Sequence, residues 1–141
     1  FTDPNHEKRY IPWEAYGQSK LANLLFAFEL NRRLNARNQT VLSTAAHPGF
    51  ANTQITRESW WMIPLTPIFG QSSDVGSWAT LRAATEPDAK GGSYWGPRWF
   101  FQMWGAPKQV GSTRASRDPV AAARLWELSE NLTGVRYLSA D

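Results

Sequence analysis

From Ala15 to about Arg37 the chain carries no proline and, after Gly17, no glycine. The stretch is rich in Leu, Ala, Phe, Glu and Arg, residues that suit a helix interior. With Tyr16 set at zero and about 100 degrees allowed per residue, Lys20, Asn23, Ala27 and Leu34 fall close to Tyr16. Leu21, Leu24, Leu25 and Phe28 carry the apolar arc past a quarter turn. The polar arc is narrow, comprising Gln18, Glu29 and Arg33 with Phe26 among them. A helix this apolar is expected to be covered on more than one side, by a sheet and by a second helix or a second subunit.

The segment after this helix narrows the fold class. Thr40 to Ala46 begins β-branched and continues small or apolar, the pattern of a short buried strand, and Pro48-Gly49 stops it. Helix followed by buried strand is one repeat of an α/β fold. Residues 1 to 14, polar and containing Pro4 and Pro12, are expected to form a loop. Ser72 or Ser73 can cap a helix running to about Thr85, ended by Pro87. Gly91 to Pro97 is expected to be a turn and a very short strand, and residues 98 to 117 a loop. Asp118-Pro119 pairs an N-cap with proline at the first position of a last helix, and Gly134 closes it. The segment from Phe50 to Gly70, with Trp60, Trp61 and two prolines, suits neither helix nor strand. It is a lid or pocket wall on one reading and a packed loop on the other.

Tyr16 and Lys20 stand four residues apart, which on a helix puts both side chains on one face, one turn apart. Carbonyl reduction needs a proton donor to oxygen, and alcohol oxidation needs an acceptor. A phenol ordinarily ionises near about 10, and a neighbouring ammonium favours its ionised form. The pair alone is a common pattern. Its setting, Ala15-Tyr16-Gly17-Gln18-Ser19-Lys20-Leu21-Ala22-Asn23, closely resembles the active-site helix of short-chain dehydrogenases/reductases of the retinol-dehydrogenase-like kind. His47-Pro48-Gly49-Phe50-Ala51-Asn52-Thr53 is similar to that family's Pro-Gly-x-x-x-Thr segment. Gly91 to Pro97 resembles its last short strand, and Ala123 to Ser129 its closing helix.

The resemblance implies a Rossmann-type, doubly wound parallel sheet with flanking helices, of which residues 1–141 are a single partial domain, the C-terminal portion. It implies hydride exchange between NAD or NADP and an alcohol/carbonyl substrate. Tyr16 then passes the proton, while Lys20 holds the nicotinamide ribose and draws the phenol toward ionisation. Pro48 and Gly49 border the nicotinamide, the Phe50 backbone bonds its carboxamide, and Thr53 contacts the carboxamide or pyrophosphate. The glycine-rich turn that cradles a pyrophosphate is not in this sequence, nor is the residue that selects NAD or NADP. The N-terminal cofactor-binding half is therefore expected to lie outside the chain. Ser19 lies inside the helix motif and is not the family's catalytic serine. The alternative is a catalytically inactive family member, or a fragment that acts as a binding protein.

Composition excludes several other classes. The net charge of +3 comes from scattered residues, with only Lys8-Arg9 and Arg32-Arg33 adjacent, which is not a nucleic-acid footprint. Without cysteine there are no disulfides or thiolate metal sites, and His6 and His47 are too few for a metal cluster. No apolar run reaches the ~20 residues of a membrane span, and Phe1-Thr2-Asp3-Pro4 does not resemble a signal peptide, so the default expectation is cytoplasmic. The Trp-rich stretch from Trp60 to Trp104 fits an apolar substrate, a core or a subunit interface equally. Phe26 on the polar arc points to a homo-oligomer, a dimer paired through this helix. His47 and Asn23 are expected to make structural hydrogen bonds rather than to act in catalysis.

Overall fold

The computed structural model describes residues 3–49, 72–136 and 138. They fall into two compact units, Phe1–Ser43 with Ser112–Asp141, and Thr44–Gly111.

The first unit pairs a long helix, α1 (Pro12–Ala36), with a short 3-10 turn at Ala115–Arg117 and the last helix. Helix α1 begins three residues earlier than expected because Pro12 occupies its first turn, where the missing N–H is no loss and the fixed φ suits a helix. It ends where Asn38 takes a left-handed φ of 53° and Gln39 N donates to Leu34 O. Asparagine tolerates that conformation better than most residues.

The closing helix (Pro119–Thr133) is the third α-helix in chain order among the described residues and is called α3. The Asp118 carboxylate accepts from Val120 N and Ala121 N at its start, and Gly134 is left-handed at its end, as its sequence signals require.

Trp126 of α3 is the centre of this unit, only 2% exposed. Its ring lies nearly parallel to Phe26 at 5.3 Å, the Arg33 guanidinium sits 4.4 Å from it, and its indole N–H donates to Glu130. Phe26 and Arg33 are two helical turns apart and so share one face of α1. The Phe26 ring is thus accounted for within the chain and gives no support to pairing with a second subunit.

A second correction concerns Glu29. Placed on the polar arc by its angle, it is 1% exposed, and its carboxylate accepts from Arg32 at 2.6 and 2.8 Å and from Arg33 at 2.7 Å. The two guanidiniums let the charge leave water, as a buried carboxylate requires.

Among the described residues, the second unit is a three-stranded sheet in the order β1-β2-β3 with one helix against it. Strand β1 (Ala45–Ala46) runs parallel to β2 (Tyr94–Trp99), with Ala45 opposite Tyr94 and Ala46 opposite Trp95. Parallel neighbours need a crossover, and α2 (Ser73–Thr85) lies on it, capped by the Ser72 hydroxyl as expected.

Strand β1 is shorter than Thr40–Ala46 because β2 begins only at Tyr94. Residues 40–44 have no ladder neighbour among the described residues, and Val41 and Leu42 are exposed.

Residues 98–117, expected to be a loop, instead contain β3 (Trp104–Gln109), antiparallel to β2. The hairpin carries no Asn-Gly or Asp-Gly signal, and its strands contain Gly96, Pro97, Gly105 and Pro107, residues depleted from strands. The turn is made instead by Phe100, Phe101 and Gln102, all left-handed, with φ of 49°, 55° and 63°. Ala79, Ala83, Trp95 and Val110 form the core of this unit. Arg82 lies 5.4 Å over the Trp95 ring and donates to Pro107 O.

Candidate active site

One group of the sequence-derived site residues stands on the first turns of α1, in the first unit. Lys20 Nζ lies 5.2 Å from the centre of the Tyr16 ring, so the helix brings ammonium and phenol to one face. Trp13, one turn earlier, meets the Tyr16 ring edge-on at 6.1 Å. Tyr16 is 41% exposed and Lys20 is exposed, so both polar ends are open to an incoming ligand. The Ser19 hydroxyl donates to Tyr16 O inside the helix. Asn23, one turn beyond Lys20, is also exposed and makes no buried hydrogen bond among the described residues.

A separate group stands at the turn that ends β1, in the second unit. Gly49 has a left-handed φ of 70°, and a Cβ there would stand 2.3 Å from Met103 O and 2.7 Å from Pro97 Cγ. Only glycine fits. Pro48 is exposed beside it. His47, half-buried against Tyr94 at 5.1 Å, accepts a bond from Gly49 N at Nδ1 and meets Gln102 Oε1 through Nε2 at 3.1 Å. Burial holds its pKa below the usual histidine value, against the Gln102 bond that works the other way. The expected structural role of His47 is what these contacts provide. Tyr94, half-buried beside it, has its own pKa raised by desolvation and stays a neutral phenol.

The sequence-derived site residues therefore form two groups, Tyr16 with Lys20 and Pro48 with Gly49. Phe50 and Thr53 lie outside the described residues, as do Trp60 and Trp61. Gln102 is the residue that sequence reasoning missed. Its only sequence signal is a lone amide within an aromatic run that otherwise lacks turn residues.

No family model matches the chain. Retinol dehydrogenase 12 of Mus musculus is 36% identical over 142 residues, which cover 97% of this chain and 42% of that protein. The short chain dehydrogenase/reductase dpmpH of Macrophomina phaseolina is 31% identical over 130 residues, 84% of this chain and 63% of that protein. The chain belongs to the short-chain dehydrogenase/reductase family.

Among solved structures, an uncharacterized protein from Mycobacterium paratuberculosis superposes with a TM-score of 0.77 at 41% identity, over 96% of this chain and 45% of that one. That similarity fixes the fold as Rossmann-like α/β, with β3 as an antiparallel addition to the parallel pair. The short-chain dehydrogenase/reductase stretch thus spans about two fifths of the length of the retinol dehydrogenase it matches. Among the described residues, no helix is long and apolar enough to cross a membrane.

Proposed function

We propose that this stretch supplies the proton-transfer part of an oxidoreductase that exchanges a hydride between NAD or NADP and an apolar alcohol/carbonyl substrate. It does so as the C-terminal part of one Rossmann-type domain. The observation that carries the reading is the exposed Lys20 ammonium over the exposed Tyr16 ring. The relatives named as dehydrogenases support the reaction class.

The donor set fits a nicotinamide ribose: two hydrogen-bond donors on one helix face, one of them cationic, with nothing acidic in the helix between Glu14 and Glu29. Lys20 and Tyr16 would hold the ribose. By the family resemblance Pro48 and Gly49 would border the nicotinamide, the Phe50 backbone would bond its carboxamide, and Thr53 would contact the carboxamide or pyrophosphate. When bound, the cofactor supplies the hydride chemistry.

The chain's own contribution is acid–base. In reduction the Tyr16 Oη proton goes to the developing alkoxide oxygen of the substrate. In oxidation the tyrosinate takes the alcohol proton. The Lys20 ammonium stabilises the tyrosinate left in the first case and needed in the second.

Tyr16→Phe in the whole protein tests this. Turnover is expected to fall by about 10²–10⁴, the usual worth of a positioned acid–base group, while cofactor affinity falls by no more than about tenfold, the net worth of the one ribose hydrogen bond lost. Unchanged turnover rules out the assignment.

A further inference from the structure

The contacts around His47 have a direction that can be deduced. Gly49 N–H can only donate, so His47 Nδ1 carries a lone pair. A neutral imidazole then bears its proton on Nε2 and donates to Gln102 Oε1. This turns the other end of the amide outward, and Gln102 Nε2 donates to Gly111 O. Donors and acceptors alternate without conflict from the Gly49 amide to the end of the hairpin.

Sterics make the same connection. A Cβ on Gly96 would lie 2.0 Å from His47 Nε2, so the strand has given up a side chain to let the ring through to Gln102. Gly49 packs its bare α-carbon on the Met103 carbonyl of the same loop. Gln102 reaches the ring from a left-handed backbone, in a run of three non-glycine residues at positive φ. Such a run persists only where its surroundings over-determine it.

We propose that His47 and Gln102 are positioning residues, through which the β2–β3 loop fixes the backbone of the Pro48–Gly49 turn and thereby the seat of the nicotinamide. The proposal rests on the assignment of that turn as the border of the nicotinamide. A turn free to rotate at Gly49 binds the same cofactor less tightly, because it must be ordered on binding. Neither side chain touches the reacting atoms.

The test uses Gln102→Leu, which removes the acceptor but keeps the bulk, with Gln102→Glu as the conservative variant and His47→Asn as a second route. The first readout needs no cofactor: amide exchange of Gly49, and the His47 tautomer by long-range ¹H–¹⁵N correlation. Gln102→Leu is expected to speed Gly49 exchange about tenfold, the effect of one net hydrogen bond, and to mix the tautomers. Gln102→Glu, which still accepts from Nε2, keeps the Nε2–H form and most of the protection. His47→Asn, whose short side chain can accept from Gly49 N but cannot reach Gln102, gives intermediate exchange.

In the whole protein, Gln102→Leu is expected to raise the cofactor dissociation constant about five- to tenfold, with kcat at saturation within about twofold, since the group acts on binding. Unchanged Gly49 exchange in folded Gln102→Leu overturns the proposal whatever Tyr16→Phe shows. Faster exchange with unchanged cofactor affinity overturns the positioning role. The site reading then still stands if Tyr16→Phe is inactive, and fails separately if that variant turns over.

Discussion

Among single residues, Glu29 shows most clearly how local sequence and packing disagree. By helix angle it belongs on a solvated stripe, yet its carboxylate is buried and held by Arg32 and Arg33. Burial alone raises its pKa, but the two guanidinium hydrogen bonds and charges outweigh that and leave it below the ordinary glutamate range. A carboxylate whose native pKa lies below its unfolded one stabilises the fold above the unfolded value. That contribution is lost as pH falls through the native value. Glu29→Gln is expected to cost about 1–3 kcal/mol at neutral pH, discounted for the half-exposed Arg32, and to flatten the acid limb of the stability profile. Urea melts between pH 3 and 7 check both. An angular plot misplaces Glu29 because it shows which residues share an arc but not that Trp126 of α3 packs on Phe26 and Arg33 of that same arc.

Individual elements differ in how plainly the sequence announces them, for physical reasons. Helices α2 and α3 are legible because their ends are encoded locally, by Ser72 and by Asp118-Pro119 with Gly134. The site motif on α1 is legible for the same reason: four residues on a helix are neighbours whatever else the chain does. Strand β3 is not legible, since its pairing with β2 is set by tertiary packing while Gly105 and Pro107 argue locally against a strand. Strand β1 is shorter than its sequence suggests because β-branched residues at Thr40 and Val41 mark extended backbone but do not supply a ladder partner. Helix pairing in the first unit depends on Trp126 between Phe26 and Arg33. Trp126→Ala is expected to destabilise that unit by about 3–5 kcal/mol, the cost of emptying a buried indole site. Loss of α-helical circular dichroism at lower denaturant, with the slope unchanged, is the corresponding signal.

For the molecule as a whole, the proposed acid–base pair and the proposed nicotinamide turn are both within these 141 residues, whereas no glycine-rich pyrophosphate cradle occurs in them. These residues alone are therefore expected to show no saturable micromolar binding of NADH or NADPH in a fluorescence titration. Saturation there would mean that the cofactor relies far less on a phosphate cradle than the family resemblance implies.

The sheet has two unlike borders. Along β3, Pro107 offers no N–H, its carbonyl already accepts from Arg82, and Lys108 is exposed beside it, so a foreign strand docking there meets a missing donor and a charge. At Ala45–Ala46 no such guard stands on the side away from β2 among the described residues. Among the described residues, the open side of the ladder is therefore the one beside β1. A further strand joining there would pair with the backbone of Ala45–Ala46.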